Sequence, residues 1–394
     1  MTDLELLFLV LVVIYGWECA GWLPRGSLGF VNWLGPRWRL KQVPNLLGNQ
    51  KGGFIFASPL PPLGAICVAT PMPLSLSPCS VLAFVAPNLN NGPRPQQSGK
   101  LISFTALRTV HVQGRELLLN GDLFLKTSTP TFAEYLASIL RQLRDAAPET
   151  RAQKIDQMLK ASLDARALQK RWADFQARSN TVRLLTNSLF FYLFAFAPGL
   201  IWAVGLAQCW LALLVGVFIL TLATALCFRL VHKEFYPAAE DERFTHFITI
   251  LLSPATAIRA RDVLSRPLLE TFHPLAIAQS FCPETEFLAF ARKVIIEFRH
   301  PALPLAPGQD EVAREAEESF RSTFRRLIEK FLKQNGVEVE QLTRPPDPAD
   351  DSCLSFCPRC EAQFTSRLGS CPDCGGLALV PFPSPNRSST ARRK

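Results

Sequence analysis

Charged side chains are absent from the middle of this 394-residue sequence over 45 consecutive residues, Leu184 to Phe228. One helix of that length would be about 68 Å long, more than twice the ~30 Å thickness of the hydrocarbon core of a bilayer. This stretch, called the apolar hairpin below, therefore predicts two transmembrane helices, residues 184–204 and 208–228, with a turn at 205–208. A turn at Pro198 would leave one span too short, so Pro198 is expected to kink the first span. The alternative is a buried hairpin in a large soluble core.

Sequence signatures of enzymes are also missing. The chain has no phosphate-binding glycine loop, no His-Glu-x-x-His run and no nucleophile elbow, although carboxylate chemistry assembled from distant residues stays open. Its five histidines show no ligand spacing, and we expect each to be structural, including those of His273-Pro274 and His300-Pro301. The apolar hairpin lacks the ionisable groups that transport paths usually carry. No catalytic or substrate-binding residue is predicted.

The N-terminus predicts a third transmembrane helix over residues 4–23, which are mostly apolar. A cleaved signal peptide would begin with basic residues, whereas this chain begins with Asp3 and Glu5. Glu18 lies near the end of the span, where a charged group usually reaches the headgroups; a functional role is the alternative.

Basic residues flank all three spans on one side, which predicts an outside N-terminus and a cytosolic bulk and C-terminus. These residues are Arg25, Arg37, Arg39, Lys41, Arg166, Lys170, Arg171, Arg178, Arg183, Arg229 and Lys233. The charge excess of the chain lies in residues 25–183, which carry 20 basic and 8 acidic side chains. Beside a bilayer, such a segment favours anionic lipid headgroups as partners over nucleic acid.

Residues 25–148 predict a β-rich α+β domain. Strands are expected at Leu107–Val112, Arg115–Leu119 and Asp122–Lys126, because Gln113-Gly114 and Asn120-Gly121 are turn pairs. A helix should follow, with a capping box from Thr131 to Glu134. This meander and helix loosely resemble pleckstrin-homology-like domains over about residues 101–145. The resemblance implies a binding or assembly module; a generic small α+β domain is the preferred interpretation.

The remaining segments are interpreted by periodicity and composition. Residues 149–182 predict one amphipathic juxtamembrane helix, and residues 234–336 predict a cytosolic helical region that ends with a charged helix. Residues 337–352 are rich in proline and acidic side chains and predict a linker. Residues 383–394 predict a disordered basic tail.

The most specific motif lies near the C-terminus, where Cys357-Pro-Arg-Cys360 and Cys371-Pro-Asp-Cys374 are two Cys-x-x-Cys knuckles. Two knuckles complete a tetrahedral shell of four thiolates, the closed arrangement of structural zinc, and we predict Zn²⁺ at these cysteines. The alternatives are an Fe–S site and redox dithiols. Residues 355–382 resemble the short zinc-ribbon family, in which the position of Glu361 often holds glycine. The predicted ribbon spans residues 353–382, with Cys353 as a spare thiol.

Together these features predict a multi-domain α+β membrane protein with three transmembrane helices and a C-terminal zinc ribbon. Every recognisable element is a device for anchoring or binding. We therefore expect an integral membrane scaffold or regulatory protein whose ribbon and β-rich domain bind another protein. The alternatives are a membrane-anchored enzyme or a transporter or assembly accessory subunit, and a membrane-tethered nucleic-acid binder. No small-molecule substrate is evident.

Overall fold

A computed structural model of the chain describes residues 2–3, 5–12, 73–83, 100–300, 311–374 and 376–382. It also describes the backbone of the strands at 39–43, 53–57, 66–69, 84–85 and 98–99. These residues form helices and small antiparallel sheets, as predicted. The predicted tail at 383–394 and most of the predicted first span lie outside the described residues.

Three small sheets lie between residues 39 and 126. The first has the order β1 (Arg39–Val43), β2 (Gly53–Ala57) and β3 (Ile66–Ala69). The second has the order β4 (Leu74–Leu76), β5 (Ser80–Val85) and β6 (Ser98–Ser103). The third is the expected meander of β7 (Val110–Gln113), β8 (Glu116–Leu119) and β9 (Asp122–Lys126). Asn120 and Gly121 both have positive φ, as a tight turn of this kind requires.

The helix after the meander, α2 (Pro130–Arg144), begins with a different cap from the one predicted. The Thr129 hydroxyl accepts the N–H of Phe132, and Pro130 occupies the first turn. Thr131 instead bonds Glu242, a residue from beyond the apolar hairpin. The capping-box prediction was therefore wrong, because a distant carboxylate captures the hydroxyl that the local motif would use.

The single juxtamembrane helix predicted over 149–182 is two helices, α3 (Pro148–Ser162) and α4 (Ala165–Arg178). The first ends at Ser162, and Asp164 caps the second by accepting the N–H groups of Arg166 and Ala167. The apolar periodicity of the segment continues across this break, so periodicity alone missed it.

The apolar hairpin contains two helical segments long and apolar enough to cross a membrane, Asn180–Val204 and Leu206–Phe235. The first consists of α5 (Asn180–Phe191), a π-helical turn (Tyr192–Phe196) and α6 (Ala197–Val204). The second is α7 (Leu206–Phe235). The break falls at Gly205, which has φ +83°, inside the predicted turn. Of the predicted first span, residues 5–12 are described, and they are helical (α1).

Helices follow the hairpin, as expected, including a long charged one, Glu311–Gln334. They are α8 (Glu240–Leu252), α9 (Pro254–Ile258), α10 (Ala260–Glu270), α11 (Pro274–Phe281), α12 (Glu284–Arg299), α13 (Glu311–Gln334) and α14 (Val339–Leu342). The linker predicted at 337–352 is partly packed structure, because α14 lies within it and Val339 is only 1% exposed. The proline and acidic residues of this segment gave no indication that Val339 would be buried.

One hydrophobic core joins the parts of the chain before and after the apolar hairpin. It includes Leu74 of β4, Leu136 of α2, Phe228 of α7 and Phe324 of α13. The sequence predicted separate domains, 25–148 and 234–336, on either side of the hairpin. In the structure they share one core, and the end of the hairpin is buried in it.

Candidate metal centre

The four knuckle cysteines form one cluster. The Sγ atoms of Cys357, Cys360, Cys371 and Cys374 all lie within 4.8 Å of one another. The Sγ atoms of Cys360 and Cys371 are 3.7 Å apart. Four thiolates at tetrahedral corners about 2.3 Å from a zinc ion would be about 3.8 Å apart, so this spacing fits the ion. The cysteines make one group that could hold a metal ion rather than two separate redox pairs.

Short strands hold the two knuckles against each other. β10 (Ser355–Phe356) pairs with β11 (Gln363–Phe364) and β14 (Val380–Pro381), while β12 (Ser370–Cys371) pairs with β13 (Leu377–Ala378). The first knuckle, residues 357–360, turns between β10 and β11, and the second, residues 371–374, follows β12. The Glu361 N–H donates to the Cys357 carbonyl, and the Gly376 N–H donates to the Cys371 carbonyl. These bonds close the turns that point the sulfurs inward.

The electrostatics of the cluster favour a bound cation. Burial acts to raise the pKa of Cys357, but the N–H groups of Cys360 and Arg359 outweigh it and hold the pKa below its usual range. Burial and the neighbouring thiols raise the pKa of Cys374. Four thiolates this close repel one another in the absence of a positive ion. The residues present therefore fit a metal that takes thiolate ligands.

The ribbon is docked on α12 through its first knuckle. The His300 ring nitrogen Nε2 lies 2.9 Å from the Pro358 carbonyl oxygen. The Arg359 guanidinium lies 3.0 Å from a Glu297 carboxylate oxygen. These contacts bring the C-terminal end of α12 against the knuckle backbone, so the ribbon and the helical body are in direct contact.

Glu361 occupies the knuckle position at which short zinc ribbons often carry glycine, and its surroundings show what the glutamate does there. Its φ of +60° lies in the left-handed region, where glycine is favoured. Its carboxylate accepts from Arg292 Nε at 2.9 Å, and Arg292 also donates to the Leu342 and Arg344 carbonyls. Glutamate is less favourable than glycine in this backbone conformation, but it forms an ion pair with Arg292. That ion pair links the knuckle to α12 and to the segment after α14.

A chain of polar contacts continues from the ribbon to the first sheets. Arg321 pairs with Glu297 at 3.3 Å and with the buried Glu317 at 3.6 Å. Glu317 in turn accepts a hydrogen bond from the Ser75 hydroxyl on β4. Buried charges are tolerated when they are paired in this way. Side-chain contacts therefore link the ribbon to β4 through α12 and α13. The two ends of this chain of contacts, Ser75 and Arg359, are 284 residues apart in sequence.

A second polar cluster lies where the N-terminus of α2 meets the helices after the apolar hairpin. Glu270 accepts from the hydroxyls of Ser128 and Thr129, the latter at 2.9 Å, and Arg266 lies 3.7 Å away. Burial raises the pKa of Glu270 to about 7. Partly positive helix N-termini stabilise carboxylates, and this one receives two, Glu242 and Glu270.

Sequence reasoning identified the four cysteines but missed the residues that position them, Arg292, Glu297 and His300. These lie on a helix that carries no recognisable motif, and no sequence signal links them to the ribbon. Among the histidines, His273 fulfils the structural expectation, because its Nδ1 accepts the Leu275 N–H and caps α11. His300 instead contacts the candidate metal centre.

Comparisons with known proteins add no assignment. No family model, no curated protein and no solved structure matches this chain.

Proposed function

We propose that the protein is an integral membrane scaffold or regulatory protein with three transmembrane helices and a cytosolic, zinc-binding ribbon that engages another protein. The observation that carries the proposal is the division of the fold. An exposed apolar hairpin emerges from one part of the body, and a cysteine cluster docked through its first knuckle lies at another.

Contacts of α1 support the third span and the outside N-terminus. The Glu5 carboxylate accepts the N–H of Leu206, the first residue of α7, at 3.1 Å. Phe8 packs against the hairpin's apolar cluster of Ala197, Ile201, Cys209 and Leu213. The beginning of α1 therefore lies beside the hairpin turn, and the helix runs from there along α6 and α7. A third span that starts at the outer end of the hairpin has this arrangement.

Basic residues at the other end of the hairpin support an anionic membrane surface as partner. Lys170, Arg178 and Arg183 are exposed along α4 and at the start of α5. Arg229 and Lys233 are exposed on the last turns of α7. Each Lys or Arg near an anionic leaflet contributes about 1 kcal/mol of attraction. This belt favours the cytosolic side for the body, as the positive-inside rule predicts.

Exposed apolar residues on the ribbon support a protein partner. Leu368, in the loop between β11 and β12, is 78% exposed, and Leu354 and Val380 are also exposed. Large apolar side chains of this kind, away from the docked knuckle, are typical anchors for a partner. Nucleic-acid binding by the ribbon is the weaker alternative.

The test isolates the full-length protein from membranes and identifies proteins that remain bound to it. The Leu368→Glu variant should lose a specific partner while keeping its metal, whereas Val312→Glu, at an exposed position on α13, should keep both. Metal content per chain should fall in Cys360→Ser. A partner retained equally by both glutamate variants would contradict the ribbon as the binding module. Turnover of a substrate by the isolated protein would favour the membrane-anchored enzyme.

A further inference from the structure

The feature of interest is the corner between α8 and α9, which lies beside the apolar hairpin. Helix α8 runs antiparallel to α7 and packs along its last turns. The ring of Phe228 on α7 lies 5.8 Å from the ring of His246 on α8, which fixes the relative level of the two helices. Six further residues along α8 rise about 9 Å. Leu252, the last residue of α8, therefore lies near the level of Leu222, inside the uncharged run of the hairpin.

The composition of α8 changes along its axis in the direction of the hairpin. Its first turn carries Glu240, Asp241 and Glu242, whereas residues 244–258 contain no Asp, Glu, Lys or Arg. The charged end of α8 lies next to the turn that joins α7 to α8, and the uncharged end extends toward the uncharged run of the hairpin. An ordinary cytosolic helix would place its charges along one whole face. This helix places them at one end.

Apolar side chains are exposed on both helices at these levels. On α7 the exposed residues Leu211, Val215, Ile219, Leu226 and Leu230 follow one face. Leu230 is 70% exposed, and Phe244, at about the same level on α8, is 61% exposed. Leu252 at the corner is 76% exposed. Large apolar side chains are thus exposed on α8 at levels where α7 also exposes them, and α8 carries no charge beyond Arg243.

The backbone of the corner is suited to a medium without water. The Ser253 N–H donates to the Thr249 carbonyl, and the Ser253 hydroxyl accepts the Thr256 N–H. Pro254 has no N–H to satisfy, and the Ala257 N–H donates to the Ser253 carbonyl. Irregular backbone is tolerated at membrane depth only when its polar groups are satisfied within the protein.

We propose that the α8–α9 corner is a re-entrant membrane element, with Leu252 in the hydrocarbon of the leaflet that holds the basic end of the hairpin and Phe244 at the headgroup level. The occupant of this surface is lipid, because Leu252 is exposed at the level of a hairpin that exposes large apolar side chains and carries no charge from Leu184 to Phe228. This inference rests on the proposed membrane residence of the hairpin and extends the membrane contact to a segment that is too short to span.

The test places a photo-crosslinking amino acid, p-benzoylphenylalanine, at one position of the full-length protein in native membranes. Leu252 is the test position. Phe218, 57% exposed on the hairpin, is the positive control, and Leu368 on the ribbon is the negative control. After irradiation, mass spectrometry should find lipid adducts at Leu252 at a yield similar to Phe218 and several-fold above Leu368.

Each other outcome contradicts the inference. Lipid adducts at Phe218 without adducts at Leu252 would overturn the re-entrant corner and leave the membrane hairpin intact. A crosslink from Leu252 to a second copy of the chain or to another protein would replace lipid with that occupant. Absence of lipid adducts at Phe218 as well would overturn both this inference and the membrane residence on which it rests.

Discussion

The helical body holds the apolar hairpin and the ribbon by opposite physical means. At the base of the hairpin, Phe228 and Ala225 are fully buried among apolar side chains of the body. The ribbon is held by ion pairs and carbonyl contacts from Arg292, Glu297 and His300. The ribbon's own small core, around the cysteines and Leu379, is separate from the main core.

The attachment of the ribbon should depend on solution conditions more than that of the hairpin. Apolar burial is insensitive to metal, and its contribution changes little with salt. Partly exposed ion pairs are worth about 0–1 kcal/mol each and are screened by salt. The hairpin should therefore stay attached under conditions that release the ribbon.

Removing the metal should produce the largest effect and should be confined to the ribbon. Structural zinc contributes about 10–16 kcal/mol to folding of zinc-finger peptides, and so small a core cannot replace it. A chelator should make amides of residues 354–382 exchange rapidly with deuterium, while those of residues 206–235 stay protected. Continued protection of the ribbon after chelation would show that it folds without metal.

Truncating the apolar attachment should have the second largest effect. Phe228→Ala removes a fully buried ring, and such a change costs about 3–5 kcal/mol because it leaves a cavity. Denaturant unfolding in detergent should show this loss. Phe218→Ala, at an exposed position of the same helix, is the matched control and should change the free energy of unfolding little. Equal losses in both variants would show that exposure in this fold does not distinguish the two positions.

Glu270 makes the junction between α2 and the helices after the hairpin depend on pH. Its pKa rises from 4.5 to about 7 on folding, so its stability contribution is present below pH 4.5 and is lost as pH rises through 7. The loss is on the order of 3 kcal/mol. Glu270→Gln should flatten the decline in melting temperature between pH 5 and 8.

Glu242 lies at the same junction, and its pKa is shifted in the opposite direction, so it serves as the control. Burial acts to raise its pKa, but bonds from His246 and Thr131 outweigh burial and lower it. Its ionised form is therefore stabilising above its ordinary pKa, and Glu242→Gln should lower the melting temperature at pH 8. A decline with pH that persists in Glu270→Gln would assign the effect to another group.

The smallest expected effect concerns the departure at Glu361. Glu361→Gly should relieve the left-handed backbone but lose the ion pair with Arg292, so the net change in ribbon stability should be within about 1 kcal/mol. Docking should weaken, seen as faster deuterium exchange at residues 342–349 with metal content unchanged. Loss of metal in this variant would show that the glutamate supports the cluster itself.

Elements encoded by neighbouring residues were the predictable part of the fold. The meander follows from its Asn-Gly turn, and the break at Gly205 follows from the length of the apolar run. Where a distant group intervened, local reasoning failed. Thr131 binds Glu242 instead of capping α2. The segment predicted as a linker after Asn335 contains α14 and contacts Arg292.

In the candidate metal site, too, one part could be predicted from the sequence and another could not. The spacing of Cys357, Cys360, Cys371 and Cys374 was sufficient to predict one cluster, because two tight turns determine where the sulfurs point. The docking residues could not be predicted. Arg292 and Glu297 resemble the ordinary charged residues of an amphipathic helix, and their partners on the ribbon, Glu361 and Arg359, lie more than sixty residues away.

Local spacing along the chain specifies two features, an apolar run long enough for two spans and four cysteines grouped for one ion. Tertiary structure alone decided that the chain before and after the hairpin shares one core, that one knuckle is docked and that α8 reaches the level of the hairpin. The physical reason is that burial and ion pairing join residues far apart in the chain. Such contacts depend on which faces of the helices and sheets pack together, and a local sequence pattern does not specify that packing.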